Sequence, residues 1–215
     1  MTRHTERRRL TQAAIFDAAV ALFDERGYDA TSVEDVCAAA GVGRATFFRY
    51  YETKTGLIRE VDVRVAADVR ARLGLDADRL SVANGIGLPQ LLRAIGDGLF
   101  TMWTDASAGM LAIGRESGSI ARPSRRVFAQ TLEVAIGVIT AVRERGELHS
   151  PLPPQLIGYA VLMQLTGAAA WWIDTPDADL RGLLDGTIEH CLQGYQPAPY
   201  SAHSLDSAAA SVSLD

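Results

Sequence analysis

The amino-acid sequence predicts an all-α protein, in which an N-terminal three-helix helix-turn-helix module precedes a larger C-terminal helical bundle. Apolar residues recur at intervals of three and four along most of the chain, which is typical of helices with one buried face. No segment shows the clean alternation of apolar and polar residues that would indicate a strand. The length of 215 residues is sufficient for a small module joined to a larger one.

The first helix is predicted from about Thr11 to Arg26. Its apolar residues have the spacing of one buried face, and they are Ile15, Ala18, Ala19, Leu22 and Phe23. Gly27 then favours a stop, because glycine readily adopts the left-handed conformation that follows many helices. Before this helix, residues 1–9 contain four arginines and are expected to form a basic N-terminal arm.

The next two helices have the order of a helix-turn-helix. Thr31 and Glu34 match a capping box, in which a hydroxyl and a carboxylate bind free backbone N–H groups, so the second helix is expected to begin at Thr31. Gly41 favours its end, and the third helix is predicted from about Arg44 to Tyr51.

Six further helices are expected. The fourth begins near Thr53 or Lys54 and continues towards Leu73. The others span about Gln90–Thr104, Ala106–Ser119, Pro123–Glu144, Pro154–Trp172 and Asp177–Tyr195. We therefore expect a helix-turn-helix domain over residues 1–53, a helical bundle over 54–196, and a disordered tail rich in Ser, Ala and Pro over 197–215.

The net charge of −5 does not argue against a nucleic-acid partner, because it is unevenly distributed. Residues 1–54 hold equal numbers of basic and acidic side chains, so the acidic excess lies entirely in the remainder of the chain. Within residues 1–54 the basic groups cluster at residues 3–9 and 44–54, and Lys54 is the only lysine in the sequence. The local charge therefore permits contact with phosphates.

The third helix has the composition of a DNA-reading surface. Phe47 and Tyr51, four residues apart, are predicted to pack against the first two helices. The opposite side is predicted to present Arg44, Ala45, Thr46, Phe48, Arg49 and Tyr50. Guanidinium, hydroxyl and phenol groups donate to phosphates and base edges, whereas an ordinary solvated helix would carry Glu, Lys and Gln there. No acidic residue occurs between Asp35 and Glu52.

Two helix N-termini add candidate phosphate contacts. Thr31 and Ser32 begin the second helix, and Lys54 begins the fourth. A helix N-terminus offers free N–H groups and a partial positive charge, which together favour anion binding. Thr31 can serve as a helix cap and still contact a phosphate.

The stretch T-S-V-E-D-V-C-A-A-A-G-V-G-R-A-T-F-F-R-Y-Y-E-T-K-T-G-L, residues 31–57, resembles the tetracycline-repressor-like (TetR) family. The resemblance covers about residues 10–60 and is strongest over Ala40–Leu57, where the glycine turn, the aromatic residues and the lysine have the family's offsets. There are two departures. Gly43 stands where the family often has a serine cap, and Phe48 stands where a tyrosine is common.

The resemblance implies a homodimeric, ligand-responsive transcription regulator, usually a repressor, that binds a pseudo-palindromic DNA operator. The family's recognition-helix contacts fall on Arg44, Thr46, Phe48, Arg49 and Tyr50, and its phosphate-binding lysine falls on Lys54. The resemblance does not extend to the effector, because the C-terminal part of the family varies widely.

An apolar effector site is expected between helices of the bundle. Trp103, Phe128 and Met163 are the candidate ligand-binding residues, although a Met or an aromatic residue at helical spacing is more often plain core. Dimerisation is assigned to residues 154–172 and 177–195, because small residues in the first segment allow close helix approach. The alternative for these two helices is packing within one chain.

Other classes of protein are less well supported. The four histidines are scattered, and we find no nucleophile motif, metal-ligand spacing or cofactor motif, so no catalytic or metal site is expected. The segment from Leu156 to Ile173 is uncharged but falls short of the roughly 20 residues that span a bilayer. We expect a cytoplasmic protein with reduced cysteines, no signal peptide and no membrane span. The alternative function is a helical ligand-binding or interaction protein without operator binding.

Overall fold

A computed structural model describes residues 3–75, 85–118, 128–175 and 177–194, and within these ranges all regular structure is helical. The all-α prediction is confirmed. The helices are α1 (Arg3–Arg26), α2 (Val33–Ala39), α3 (Arg44–Tyr51), α4 (Ile58–Arg72), α5 (Leu88–Thr104), α6 (Ala108–Gly118), α7 (Ala129–Glu144), α8 (Pro154–Asp174) and α9 (Leu180–Gly194). We call α1–α3 the head and α4–α9 the bundle.

Helix α1 begins eight residues earlier than predicted, at Arg3 instead of Thr11. The predicted basic arm is therefore helical from Arg3 onwards. Arginine and glutamate favour helices, and the Thr11 hydroxyl donates to the Arg7 carbonyl oxygen at 2.9 Å along the same helix. The apolar pattern did not reveal this extension because residues 3–9 are all polar, and Leu10 is 60% exposed.

The cap of α2 lies one residue later than predicted. Ser32 is the N-cap, and its hydroxyl oxygen accepts from the Asp35 N–H at 3.1 Å. The Asp35 carboxylate in turn accepts from the Ser32 hydroxyl at 2.5 Å and from the Ser32 N–H at 2.9 Å, and these two hydrogen bonds hold the pKa of Asp35 below its ordinary value. Thr31 is buried instead, and its hydroxyl donates to the Gly27 carbonyl oxygen at 2.9 Å. The predicted pairing of Thr31 with Glu34 is therefore wrong.

The helices of the bundle follow the prediction with shifts at their ends. A short 3₁₀ turn over Thr55–Leu57 precedes α4, so the α-helix starts at Ile58 and Lys54 lies outside it. Helices α5, α6, α8 and α9 lie within about one turn of the predicted bounds. The predicted start of the seventh helix at Pro123, the end of the ninth at Tyr195, and the tail over 197–215 lie outside the described residues.

The head and the bundle share one continuous core. Phe16 of α1, Phe47 of α3 and Leu57 before α4 are each almost fully buried and belong to the same apolar cluster as the bundle residues. The Tyr51 hydroxyl donates to the Gln12 carbonyl oxygen at 2.8 Å and ties the end of α3 to α1. Burial of this ring raises the pKa of Tyr51 and keeps its hydroxyl protonated as a donor.

Helix α6 of the bundle lies directly against α1 of the head. The Gly109 N–H donates to the Asp24 carboxylate at 2.6 Å, so an acid on α1 satisfies a free N–H in the first turn of α6. Gly109 has no space for a larger side chain, because an added Cβ would lie 2.6 Å from the Val20 carbonyl oxygen. This glycine sets the closeness of the two helices.

By length and composition, α8 is the one helix in the described ranges that could cross a membrane. One face of α8 packs into the core through Ile157, Val161 and Leu165. The other face exposes Leu156 and Trp171, the latter by 54%. A helix that is partly buried and partly exposed in this way agrees with the expectation of a core or interface helix.

We predict that Gly109→Val lowers the free energy of unfolding by about 1–3 kcal/mol, because the backbone carbonyl that it meets cannot move aside without separating α6 from α1. Chemical denaturation measures this loss. Gly43→Ser is the control: an added Cβ meets nothing within 4 Å there, and a serine cap on α3 should raise stability by a few tenths of a kcal/mol, on the order of a weak cap. Equal stability of Gly109→Val and the wild type would contradict the close packing.

Candidate DNA-binding surface and ligand cavity

Helix α3 has one buried and one exposed side, as its sequence predicts. Phe47 and Tyr51 are buried against the other helices of the head. Gly43 is the N-cap and provides no side-chain hydrogen bond. On the outer side Arg44, Arg49 and Phe48 are exposed, and Thr46 is half-buried. The structure therefore brings together two cations, a hydroxyl and an apolar ring on one surface.

The two arginines of this surface are oriented by neighbouring groups. The Arg44 guanidinium pairs with the Glu34 carboxylate of α2 and lies 5.7 Å from the centre of the Phe48 ring. The Arg49 guanidinium lies 5.0 Å from the centre of the Tyr50 ring. Exposed ion pairs of this kind contribute little to stability, so Arg44 can exchange Glu34 for a phosphate or a base at small cost.

Tyr50 is not on the exposed side, and its predicted exposure is wrong. It is only 8% exposed and belongs to the core cluster. Tyr50 lies three residues after Phe47, and residues three and four apart share a helix face, so the same pattern that buries Tyr51 also buries Tyr50. The face of its ring instead contacts the Arg49 guanidinium.

The N-terminus of α2 offers less than the sequence predicts. The Thr31 hydroxyl is buried and bonded to Gly27, so it cannot reach DNA. Ser32 is exposed, but its hydroxyl donates to the Asp35 carboxylate at 2.5 Å. The Asp35 carboxylate accepts from the Ser32 N–H, and the Ser32 hydroxyl oxygen accepts from the Asp35 N–H, so two of the N–H groups that could attract a phosphate are already occupied.

Lys54 holds the turn between α1 and α2. Its ammonium donates to the carbonyl oxygens of Tyr28 at 2.8 Å and Thr31 at 2.9 Å, and it lies 4.2 Å from the centre of the Tyr28 ring. The Lys54 ammonium, which the sequence predicts to bind a phosphate, therefore also stabilises the turn between α1 and α2. An ammonium has three N–H donors, so these two bonds leave one for a phosphate.

A cavity of about 260 Å³ lies in the bundle beneath the head. Helices α4 to α8 all contribute to its wall, which is mostly apolar. The three candidate ligand residues of the sequence, Trp103, Phe128 and Met163, all line this cavity. Trp103 also fits the alternative that these residues belong to the plain core, because it is buried and lines the cavity as well.

Asp62 of α4 also lines the cavity, and the sequence analysis did not identify it. Its carboxylate accepts from the N–H groups of Gln130 at 2.9 Å and Thr131 at 3.2 Å, and from the Thr131 hydroxyl at 2.6 Å. Asp62 thus caps the N-terminus of α7 from a different helix. A signal was present, since Asp62 interrupts the apolar stripe formed by Ile58, Val61 and Val65.

Helices α8 and α9 share an exposed surface with a shallow groove between them. Small residues form much of it, including Ala168, Gly182 and Gly186. Trp171 is exposed on the same helix as Ala168. These are the segments to which the sequence analysis assigns dimerisation.

The described residues contain no group of three or more His, Cys, Asp or Glu side chains that could hold a metal ion. Cys37 and Cys191 are both buried and unbridged. Burial raises the pKa of each thiol, which makes the reactive thiolate less accessible.

We predict that Lys54→Met lowers the free energy of unfolding by about 1–2 kcal/mol, because the carbonyl oxygens of Tyr28 and Thr31 lose their donor. Chemical denaturation and faster amide exchange in the turn at residues 27–31 measure this effect. Arg26→Met removes a charge of the same sign from an exposed ion pair of the head and should change stability by less than about 0.5 kcal/mol. Equal effects of the two substitutions would contradict the structural role of Lys54.

Comparisons with known proteins agree with this geometry. Residues 15–61, which include the whole of α2 and α3, match the family model described as bacterial regulatory proteins, tetR family. A Mycobacterium tuberculosis (strain ATCC 25618 / H37Rv) protein, the candidate mycofactocin biosynthesis transcriptional regulator MftR, is 43% identical to this chain over 51 residues. That match covers 24% of this chain and 26% of the length of the relative.

Solved structures extend the likeness to most of the chain. The fold is similar to that of Thermus thermophilus FadR, a TetR-family transcriptional repressor in complex with lauroyl-CoA, with 25% identity and a TM-score of 0.62 over 87% of this chain and 98% of that one. It is also similar to the transcriptional regulator FadR from Bacillus subtilis in complex with stearoyl-CoA, with 18% identity and a TM-score of 0.58 over 85% and 98% of the two chains. The family match over the head, together with the likeness of most of the chain to a TetR-family repressor, identifies the chain as a helix-turn-helix transcription regulator of the TetR family.

Proposed function

We propose that this regulator is a repressor that binds a pseudo-palindromic operator as a homodimer and is released by a small, largely apolar effector. The observation that carries the proposal is the position of α4, which directly follows the head and also forms part of the cavity wall. A ligand in the cavity therefore touches the helix that orients the DNA-binding surface.

The DNA-contacting group that we propose comprises exposed side chains of the head. Arg44 and Arg49 supply charge, Thr46 supplies a hydroxyl, and Phe48, which is 40% exposed, supplies apolar contact. The α3 helix would lie in the major groove, where arginine donates to guanine and an apolar group contacts the thymine methyl. Ser32 and the third N–H of Lys54 are placed at the phosphate backbone, whereas Thr31 and Tyr50 are omitted because they are buried.

The dimer is proposed to form through α8 and α9. Their exposed surface combines Leu156 and Trp171 with small residues that allow helices to approach closely. Exposed apolar patches on a protein in water are typical of interfaces. Two such helix pairs related by a two-fold axis would form a four-helix bundle.

The effector is proposed to bind in the cavity between the helices of the bundle. Its wall is predominantly apolar, and the two FadR proteins of similar fold were solved with fatty-acyl-CoA ligands, which supports an apolar ligand here. Release of DNA requires that the effector bind the free and the DNA-bound conformations with different affinities. A cytoplasmic location follows from the proposed DNA target.

The alternative is a helical ligand-binding protein that does not bind an operator. The exposed arginines of α3 favour the operator-binding function, because a retained ligand-binding domain has no need of them. The two functions differ in how DNA binding responds to salt, since neutralised phosphates make affinity fall with salt concentration.

We predict that Arg44→Ala and Arg49→Ala each weaken binding to a DNA sequence selected from a random pool by about tenfold, as expected for loss of one good contact of about 1–3 kcal/mol. Where the lost contact is to a phosphate, the slope of log affinity against log salt also falls by about one. Fluorescence anisotropy over a salt series measures both. Arg93→Ala, an exposed arginine of α5, is the matched control and should leave affinity unchanged. Wild-type affinity in Arg49→Ala would contradict the proposed surface.

A further inference from the structure

Asp62 is the one ionisable side chain among the described residues that line the cavity. It is 4% exposed, although carboxylates are almost never buried without a compensating partner. No arginine, lysine or histidine of the described cavity wall neutralises it. Its charge is stabilised by the N-terminus of α7, where the helix dipole and two N–H groups face it, and by the charge of Arg70, which lies on α4 outside the cavity wall.

The Asp62 carboxylate retains capacity for another donor. An ionised carboxylate has about four acceptor positions, two on each oxygen. Among the described residues, Oδ1 accepts from the Thr131 N–H and the Thr131 hydroxyl, and Oδ2 accepts only from the Gln130 N–H. One position on Oδ2 is therefore available to a ligand that carries an N–H or O–H group.

The threonines of the wall do not offer a matching donor to an anionic ligand. The Thr131 hydroxyl donates to Asp62 at 2.6 Å, and the Thr166 hydroxyl donates to the Leu162 carbonyl oxygen at 2.7 Å. A ligand carboxylate in this cavity would place a second negative charge near Asp62 in surroundings of low dielectric constant, where repulsion is strong. A ligand cation would meet a buried acid and the aromatic residues Trp103 and Phe128, whose rings also attract cations.

We propose that Asp62 is the polar recognition residue of the effector cavity, and that the effector is an apolar molecule with one protonated amine that donates to Asp62 Oδ2. This inference rests on the proposed function, because it specifies the ligand class of the same cavity. Burial raises the pKa of Asp62, and a cation beside the carboxylate would favour its ionised form. The ligand would therefore bind the same carboxylate that connects α4 to α7 by hydrogen bonds.

The test uses three probes that share one alkyl chain and differ in their head group: decylamine, 1-decanol and decanoate. Calorimetry with the full chain measures their affinities below the concentration at which each aggregates. We expect decylamine to bind about tenfold or more tightly than 1-decanol, as a charge-assisted hydrogen bond predicts, and decanoate to bind most weakly. This comparison in the wild-type protein needs no variant and so does not depend on whether a variant folds.

The variant Asp62→Asn then tests whether the preference for decylamine over 1-decanol depends on the Asp62 carboxylate. Asparagine has nearly the same shape, and its carbonyl oxygen can still accept from the Thr131 N–H and hydroxyl, but its amide NH2 cannot accept from the Gln130 N–H and the side chain lacks the charge. We expect the variant to bind decylamine no more tightly than 1-decanol. Thr166→Val, which removes a different polar group from the same wall, should retain the full preference for the amine.

Each outcome separates the inference from the proposed function. Decanoate binding as tightly as decylamine, or an amine preference that persists in Asp62→Asn, overturns the inference. If 1-decanol or decanoate releases DNA and decylamine does not, the proposed function stands and the inference falls. If decylamine binds through Asp62 without releasing DNA, the inference stands and the proposed effector-controlled release falls. If none of the three probes binds, the cavity is not an effector site and both fall.

Discussion

The position of α4 between the head and the bundle is the constraint on which both functional regions depend. On one side, the Arg64 guanidinium of α4 lies 2.7 Å from the Asp17 carboxylate of α1 and 4.5 Å from the centre of the Phe16 ring. On the other side, Asp62 caps α7, and Val61, Val65 and Val69 of α4 are buried in the common core. Packed cores do not deform gradually, so a shift of α4 must change both sides together.

A second connection limits how α4 can move. Helix α6 contacts α1 at Gly109 and contributes Gly114 to the cavity wall, where an added Cβ would lie 2.7 Å from Ile173 of α8. The head is therefore held by two helices that both reach the cavity. An effector that enlarges the cavity would push α4 and α6 apart, and the head would turn about its contacts with them. We propose that the cavity and the DNA-binding surface are coupled because α4 and α6, which line the cavity, also contact α1 of the head.

The sequence predicts the fold class and the bounds of α3 correctly, because glycine turns and aromatic spacing are local signals. It places the cap of α2 one residue early, since Thr31 with Glu34 and Ser32 with Asp35 fit the same pattern and tertiary burial of Thr31 decides between them. It identifies Lys54 as an important residue but not the carbonyl oxygens that its ammonium binds. It does not identify Asp62, because the N–H groups that this acid caps lie nearly seventy residues further along the chain. Local chemistry is readable in the sequence, whereas partners that are distant along the chain are not.

The most direct test of the account is a hydroxyl-radical footprint of the full chain on a DNA sequence selected from a random pool. Two α3 helices on a two-fold dimer should protect two segments related by symmetry, with centres one helical turn, about 10–10.5 base pairs, apart or at a multiple of that distance. Two such segments of inverted sequence would establish the dimer and its docking together. A single protected segment, or protection without sequence symmetry, would contradict the proposal that the dimer places α3 in successive major grooves.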